Sequence, residues 1–279
     1  MTQELPKTAP TGSEPTPEPE LTGVRNFRDV GGLPTVDGRR VRHGVLFRSG
    51  HLAHADAGDT AFLTGLGLHT VFDFRNADDI RIEGQDTPLP GTLNVNMPLS
   101  DPAQGADFWH TVRDGDLAAL REVLGEGRAA ERMANSYRKL IRERTAEHGR
   151  MLALLSEPVD AAVPALLHCA AGKDRAGTSI AVILLALGVE RSAIEADYLE
   201  SNARHRRYRV RRGDGSTGSA IDPAIMELLN PLFEARVEYL RAAFDTIEEE
   251  WGSVDRYLED GLGLTKERRD RLRELLLTD

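Results

Sequence analysis

Short apolar runs alternate with longer amphipathic segments along most of the chain. Residues 92–98 (TLNVNMP) carry apolar side chains at every second position, which is typical of a half-buried strand. Three more apolar runs predict strands at residues 41–47, 69–74 and 164–168. Apolar positions at helical spacing predict helices at residues 56–66, 129–155 and 177–187, and Gly188 follows the last of these as its C-cap.

This alternation of strands and helices predicts an α/β fold with a mostly parallel central sheet and helices on both faces. Residues 190–279 are predicted to be helical, with one weak interruption at 213–219 (GDGSTGS). Residues 101–127 are polar and glycine-rich, and we interpret them as an insertion loop with one short helix. The Pro-, Thr- and Glu-rich residues 1–20 predict a disordered tail, which leaves one domain at residues 21–279.

Composition and charge argue against several classes of protein. The chain of 279 residues has a net charge of −10, which does not favour a general nucleic-acid-binding protein. Its longest apolar run, residues 180–189, is too short for a bilayer, which needs about 20 residues, so no integral membrane association is expected. Residues 1–20 lack the apolar segment of a standard signal peptide, and a cytoplasmic location is the default expectation. The single cysteine, Cys169, excludes an intramolecular disulfide and fits a reducing compartment.

Cys169 lies in the segment with the clearest chemistry. In residues 168–177 (HCAAGKDRAG) a buried strand leads into a turn and then into a helix. The unpaired N–H groups of a helix N-terminus form a cradle for an anion, and they favour a thiolate for the same reason. Arg175, six residues after the cysteine, has a planar fork that can hold two oxygens of a phosphoryl group. Together they predict phosphoryl transfer through a phosphocysteine intermediate.

A structural interpretation of the same residues is also open. A single cysteine is usually a small buried hydrophobe, and an arginine at a given offset is easily found by chance in so Arg-rich a chain. The strand before the loop, Gly172 inside it, the helix after it and His168 beside the cysteine favour the catalytic interpretation.

The loop resembles the signature of cysteine-based protein tyrosine phosphatases, and more narrowly that of a bacterial tyrosine/serine phosphatase family. Five other segments, which extend over nearly the whole chain after the tail, resemble motifs of that family: 23–32 (GVRNFRDVGG), 46–49 (LFRS), 71–75 (VFDFR), 196–202 (ADYLESN) and 252–258 (GSVDRYL). The resemblance implies the three-layer protein-tyrosine-phosphatase fold with a helical C-terminal extension. It implies hydrolysis of phosphotyrosine in a phosphorylated protein, with phosphoserine, phosphothreonine and phosphoinositides as further candidate substrates. It implies no cofactor, it is compatible with secretion without a signal peptide, and it leaves the oligomeric state open.

The resemblance also implies a role for each residue of the loop. Cys169 is expected to be the nucleophile and Arg175 the clamp on the phosphate. His168 is expected to support the loop and the thiolate, unless it is an ordinary core histidine. The expected substrate-binding residues are His168, Ala170, Ala171, Gly172 and Lys173.

Two positions of the loop leave alternatives open. Lys173 lies where family members and phosphoinositide phosphatases have a basic residue, so it is either a substrate contact or a solvated loop lysine. Ala176 stands where many cysteine phosphatases have Ser or Thr, whose hydroxyl stabilises the departing thiolate. Either Thr178 or Ser179 supplies that hydroxyl instead, or the second chemical step is slower.

Two carboxylates are candidates for the general acid that protonates the leaving group. Asp174 lies next to Arg175 in the loop, where the resemblance suggests an acid. Asp101 follows a predicted strand, where related phosphatases have a mobile acid loop. Both are retained as catalytic candidates, against the alternative that they cap turns or helices. Asp73 is interpreted as a strand-end residue bonded to Arg75.

No metal site and no nucleotide site is predicted. The eight histidines show no HExxH motif and no His/Asp cluster at ligand spacing. Gly172 and Lys173 are followed by Asp174 rather than by Ser or Thr, which differs from a nucleotide P-loop.

Two features of the C-terminal third have open interpretations. Residues 204–212 (RHRRYRVRR) are either a solvated basic face or a docking patch for an anionic substrate or lipid headgroup. Residues 222–250 carry apolar side chains at helical spacing and are most simply a packed helix pair. By resemblance to the family, they are also a candidate lid over the active site.

Other functions remain open on the sequence alone. One is a phosphoinositide phosphatase, another is a catalytically silent phosphate-binding module, and the least favoured is a sulfurtransferase. Cys169, Asp174 and Arg175 together argue against the silent module, and only Ala176 favours it.

Overall fold

A computed structural model describes residues 21–99, 117–203, 205–206 and 223–278. The predicted tail at residues 1–20 and the interruption at 213–219 lie outside the described residues, as do residues 101–116 of the predicted insertion loop.

A five-stranded sheet forms the centre of the described structure. Its strands are β1 (Arg28–Asp29), β2 (Leu46–Ser49), β3 (Thr70–Asp73), β4 (Leu93–Asn96) and β5 (Ala165–His168). The order across the sheet is β1-β2-β5-β3-β4, and only the pair β1–β2 is antiparallel. His168 pairs with Ser49 on one side and with Asp73 on the other, so the carboxyl ends of three neighbouring strands meet at one edge.

Helices follow most of the strands. They are α1 (Ala57–Gly65), α2 (Ala77–Glu83), α3 (Leu117–Leu124), α4 (Arg128–Glu143), α5 (Thr145–Leu155), α6 (Arg175–Leu187), α7 (Arg191–Leu199) with a 3₁₀ turn (Glu200–Asn202), α8 (Pro223–Phe233), α9 (Val237–Trp251), α10 (Val254–Arg256) with a π-helical turn (Tyr257–Gly261), and α11 (Lys266–Leu276).

Alternate residues of the central strands face two separate cores. Phe47 and Leu166 pack with Leu63 of α1 on one face of the sheet. Leu46 and Leu167 belong to the larger core on the other face, to which α4, α5, α6 and α9 contribute. Because neighbouring side chains of a strand point to opposite faces, helices cover both sides of the sheet. The predicted three-layer α/β fold is confirmed.

The central helix α6 is buried along its whole length. All thirteen residues from Arg175 to Leu187 are buried, and Gly188 ends the helix in the left-handed conformation with a φ of +80°. The predicted C-cap is therefore confirmed, and the helix begins two residues earlier than predicted. Within the described part of the chain, no helix is both long enough and apolar enough to cross a bilayer.

Two predicted elements were wrong in their bounds. The strand predicted at 41–47 starts only at Leu46, because Gly44 adopts a φ of +76° that interrupts an extended run. The helix predicted at 129–155 is two helices, α4 and α5, because Arg144 leaves the helical conformation at φ −119° and ψ 29°. Sequence patterning missed β1 and α2, which are too short to show a period.

Candidate active site

The loop between β5 and α6 is the centre of the candidate site. It starts at Cys169, and Arg175 is the first residue of α6. Gly172 has a φ of +69°, and a Cβ atom there would lie 2.3 Å from the main-chain oxygen of Ser49. Glycine alone fits this approach, so the tight turn of the loop depends on it.

Donors from other segments hold the main-chain oxygens of the loop. The bonds are Arg48 Nη2 to Gly172 at 2.7 Å and to Lys173 at 3.2 Å, Asn26 Nδ2 to Ala171 at 3.2 Å, and the main-chain N–H of His51 to Ala170 at 3.2 Å. The N–H and C=O groups of a trans peptide point in opposite directions. The N–H groups that follow these oxygens therefore face away from the donors, which is the arrangement that an anion cradle requires.

Arg48 is fully buried, and a carboxylate in the same cluster balances its charge. Its Nη1 donates to Oδ2 of Asp197 at 2.7 Å, and Nε of Arg28 donates to Oδ1 at 2.8 Å. Burial opposes ionisation of Asp197, but the two guanidinium groups outweigh burial and lower the pKa of this carboxyl. Burial, followed by the charge of Arg48, lowers the pKa of Arg28 to about 10. This ionic cluster fixes Arg48 against the loop.

Cys169 is a buried free thiol with 2% of its surface exposed. It follows the last residue of β5 directly, and the N-terminus of α6 closes the loop that it opens. The N-terminal end of a helix dipole stabilises a negative charge, so this position suits a thiolate. The surroundings therefore support the predicted nucleophile, whose catalytic role stays a prediction.

The guanidinium of Arg175 is paired with a carboxylate that sequence reasoning missed. Nη1 donates to Oδ2 of Asp79 at 2.5 Å and to the main-chain oxygen of Phe74 at 3.4 Å. Asp79 belongs to the first turn of α2 and also accepts the N–H of Asn76 at 3.0 Å. These contacts fix the arginine at the edge of the loop, where a phosphoryl group would compete with Asp79 for it.

The carboxylate of Asp174 is oriented by a pair of buried tyrosines. Tyr137 donates to Oδ1 of Asp174 at 2.6 Å, and the hydroxyl of Tyr198 lies 2.7 Å from that of Tyr137. Burial, and then the charge of Asp174, raises the pKa of Tyr137 well above its ordinary value. Tyr137 therefore stays protonated and donates, and Oδ2 of Asp174 is the oxygen that this bond leaves available.

Lys173 is buried rather than solvated. Nζ donates to the main-chain oxygens of Leu232 at 2.7 Å and Glu234 at 3.0 Å, at the end of α8, and lies 3.4 Å from Asp174. The interpretation of Lys173 as a solvated loop lysine is wrong, because only 4% of the residue is exposed. Its predicted substrate contact stays a prediction.

His168 lies behind the loop and is fully buried. Its Nε2 is 2.9 Å from Oδ2 of Asp86, and its Nδ1 is 3.7 Å from Oδ1 of Asp73. Burial opposes ionisation of Asp86, but His168 and Arg75 outweigh it and lower the pKa of this carboxyl. The imidazole is therefore placed to support the loop, while Ala170, Ala171 and Asp174 are the partly exposed residues of the loop that a ligand can meet.

The remaining predicted residues divide into described and undescribed positions. Asp73 ends β3 and accepts from Arg75 at 3.0 and 2.9 Å, which confirms its interpretation as a strand-end residue. Asp101 lies outside the described residues, as do most residues of the basic run at 204–212. The role proposed for Asp101 and the docking patch therefore stay predictions.

Thr178 and Ser179, the two candidates to supply the hydroxyl that Ala176 lacks, have different surroundings. Ala176 is fully buried. Ser179 Oγ lies 3.3 Å from Nε2 of His148, whose pKa burial lowers to about 4, so this hydroxyl faces a neutral imidazole. Thr178 Oγ1 is buried without a hydrogen-bond partner among the described residues. Of the two, the hydroxyl of Thr178 is therefore the one that can donate a hydrogen bond to the thiolate without breaking another.

Several residues of the site belong to segments quoted above as family-like motifs. Arg48 lies in LFRS, Asn26 and Arg28 in GVRNFRDVGG, and Asp197 and Tyr198 in ADYLESN. The sequence signal for these residues was present, but it did not reveal which of them contact the loop. Asp79, Asp86 and Tyr137 had no signal at all.

The comparisons with known proteins agree with this geometry. The chain matches the tyrosine phosphatase family over residues 19–278. It is 37% identical over 254 residues to a predicted tyrosine-protein phosphatase of Cupriavidus necator, with 86% of this chain and 82% of that protein covered. It is 31% identical over 282 residues to triple specificity protein phosphatase PtpB of Mycobacterium tuberculosis, with 92% of this chain and 98% of that protein covered.

Proposed function

The chain belongs to the tyrosine phosphatase family, and on that premise we propose that it hydrolyses phosphotyrosine in proteins through a phosphocysteine intermediate. The observation that carries the proposal is the tethered loop from Cys169 to Arg175. Its oxygens are held by Arg48 and Asn26, so its N–H side is preorganised for the oxygens of a phosphate.

In the first step, the thiolate of Cys169 attacks phosphorus, an S–P bond forms and the P–O bond to tyrosine breaks. Arg175 and the loop N–H groups stabilise the charge on the non-bridging oxygens. Asp174 donates a proton to the departing oxygen, and the bond from Tyr137 to its Oδ1 supports Oδ2 as the oxygen that carries this proton. Asp101 is the second candidate for this proton.

In the second step, a water molecule attacks the phosphorus of phosphocysteine. Its proton passes to the carboxylate that acted as the acid, the S–P bond breaks, and inorganic phosphate leaves with Cys169 again a thiolate. The buried Ala176 supplies no hydroxyl to that thiolate, and Thr178 is the remaining candidate donor on α6.

The substrate range is the second part of the proposal. The name of the Mycobacterium tuberculosis relative describes a triple specificity phosphatase. Phosphoserine, phosphothreonine and phosphoinositides are therefore candidate substrates here as well. A phosphoinositide activity is expected to depend on Lys173, which would first have to leave the oxygens of Leu232 and Glu234.

The third part of the proposal concerns which helix controls access to the loop. Of the candidate lid at residues 222–250, helix α9 places Leu240 and Ile247 in the main core, and α8 places Leu229 and Leu232 there as well. Helix α8 is the part whose end is bonded to Lys173 of the loop. We assign the lid role to α8 because of this bond to the loop.

The test compares hydrolysis of phosphotyrosine, phosphoserine and phosphoinositide substrates by the wild type and Cys169→Ser, with vanadate as inhibitor. Vanadate-sensitive turnover that is lost in Cys169→Ser is expected. The ranking of the substrates separates a protein phosphatase from a phosphoinositide phosphatase, and Lys173→Ala is expected to lower the lipid activity relative to the phosphotyrosine activity.

Two results would contradict the proposal. Turnover that survives in Cys169→Ser would exclude the phosphocysteine intermediate. Binding of vanadate without turnover of any substrate would favour a silent phosphate-binding module, and Ala176→Ser would then be the first variant to test for restored activity.

A further inference from the structure

Three side chains of metal-ligating type cluster outside the catalytic loop. His51 and His54 follow β2, and Glu83 is the last residue of α2. One potential ligand atom from each of the three lies within 4.8 Å of the others. None of these side chains has a part in the hydrolysis proposed above.

The spacing of two ligand atoms fits a shared ion. Nε2 of His51 lies 3.3 Å from Oε2 of Glu83. Around a tetrahedral zinc ion with N and O ligands at about 2.0–2.2 Å, two ligand atoms are about 3.3–3.6 Å apart. A charge-assisted hydrogen bond between the same groups would be shorter, at about 2.7–2.9 Å.

Burial distinguishes the cluster from an exposed surface pair. The side chain of His51 is 9% exposed and that of Glu83 is 15% exposed. Nδ1 of His51 is buried without a hydrogen-bond partner among the described residues. His54 is partly exposed, which leaves an entry path for an ion and room for water as a fourth ligand.

The segments that carry the ligands are already fixed relative to one another. The N–H of Leu52 donates to Oδ1 of Asp86 at 2.8 Å, and the N–H of Thr87 donates to the oxygen of Leu52 at 3.3 Å. The imidazole rings of His51 and His54 lie 5.0 Å apart, edge to face. An ion would therefore bind to a preformed site with little ordering of the chain.

We propose that His51, His54 and Glu83 bind one divalent transition-metal ion of the zinc type. Two imidazoles and one carboxylate suit zinc, whereas magnesium and calcium prefer oxygen ligands alone. The ion would join the two segments that hold the catalytic loop. His51 donates its N–H to Ala170, and α2 carries both Glu83 and Asp79, the partner of Arg175. The site would thus brace the loop without any part in the chemistry.

The test is a calorimetric titration of full-length Cys169→Ser with zinc chloride, since this substitution removes the thiol as a competing ligand. We expect one equivalent of zinc to bind, no magnesium binding under the same conditions, and a melting temperature that rises with zinc. In the Cys169→Ser background, His54→Ala and Glu83→Gln should each weaken zinc binding at least tenfold. His69→Ala is the matched control, since His69 pairs with the exposed Asp160 instead.

The melting temperature of each variant without metal separates loss of the site from loss of the fold. Should His54→Ala fail to fold, His54→Gln replaces it. Absence of saturable zinc binding to Cys169→Ser would overturn the proposal. Equal binding by Glu83→Gln, His54→Ala and the control would overturn it as well, because the zinc would then be held elsewhere.

Discussion

The ammonium group of Lys173 donates a 2.7 Å hydrogen bond to the main-chain oxygen of Leu232, so the loop between β5 and α6 is bonded to the end of α8. The last carbonyl oxygens of a helix carry the negative end of its dipole, and a buried cation there is stabilised. The lysine that the sequence suggested as a substrate contact is therefore also a link between the loop and the candidate lid.

Removing this link should open the site. Lys173→Met keeps the length of the side chain but donates no hydrogen bond, and each bond to a charged group contributes about 1.5–3 kcal/mol. We expect iodoacetamide to alkylate Cys169 several-fold faster in Lys173→Met than in the wild type. Lys266→Met is the control, because Lys266 is exposed and pairs within α11 with Asp270, four positions later. Equal alkylation rates in all three proteins would exclude α8 as a lid held by Lys173.

Gly172, the glycine of the loop, should not accept a side chain. In Gly172→Ala the new Cβ would lie 2.3 Å from the main-chain oxygen of Ser49, at a φ of +69°. We expect a lower melting temperature and loss of most phosphatase activity, because the main chain of the loop must move. Gly38→Ala is the control, since Gly38 has a φ of +88° but open space around it.

In the control only the left-handed conformation is penalised, by about 1–2 kcal/mol. The melting temperatures and turnover rates of Gly172→Ala and Gly38→Ala therefore separate the cost of the close contact with Ser49 from the cost of the left-handed backbone conformation. Equal effects of Gly172→Ala and Gly38→Ala would show that the close approach to Ser49 is unimportant.

How much of the site the sequence predicts depends on how far apart its parts are in the chain. Cys169, Gly172 and Arg175 lie within seven positions, and the strand and helix around them have their own apolar patterns, so this part was predicted from local signals. Asp79 lies 96 positions from Arg175, and no pattern within either segment indicates that they meet.

The same reason applies to the support of the loop. Arg48 and Asp197 are 149 positions apart, and each appeared only as a letter in a family-like motif. Such pairs arise from the order of strands in the sheet, which periodicity does not encode. The strand predicted at 41–47 was wrong for a local reason instead, since Gly44 interrupts an apolar run whose later half is β2.

Asp197 should stabilise the fold in a way that depends on pH. Its pKa is lowered by Arg28 and Arg48 against the effect of burial. A carboxyl with a lowered folded-state pKa contributes stability above its unfolded pKa of about 3.9, and this stability is lost as the pH falls through the folded-state pKa. Asp197→Asn leaves two buried guanidinium groups unbalanced, and we expect a loss of about 3–5 kcal/mol at neutral pH.

Chemical denaturation of the wild type and Asp197→Asn between pH 7 and pH 3 measures this effect. The difference in unfolding free energy should be largest at neutral pH and should shrink below about pH 4. Asp78→Asn is the control, because its pair with Arg81 is largely exposed and should contribute less than about 1 kcal/mol. A difference that stays constant down to pH 3 would mean that Asp197 stabilises the fold by shape rather than by charge.

Ala176 should determine the rate of the second chemical step. Without a hydroxyl after Arg175, the departing thiolate of Cys169 lacks a donor at that position, so breakdown of phosphocysteine should limit turnover. Stopped-flow hydrolysis of para-nitrophenyl phosphate should then show a burst of nitrophenol in the wild type.

In Ala176→Ser the steady-state rate should rise and the burst should shrink. Ala186→Ser, which also buries a new hydroxyl in α6 but away from the loop, should keep the wild-type burst. A wild type without a burst would mean that the slow step precedes phosphocysteine or that Thr178 is already a sufficient donor. A burst unchanged in Ala176→Ser would mean that the hydroxyl missing at position 176 does not limit phosphocysteine breakdown.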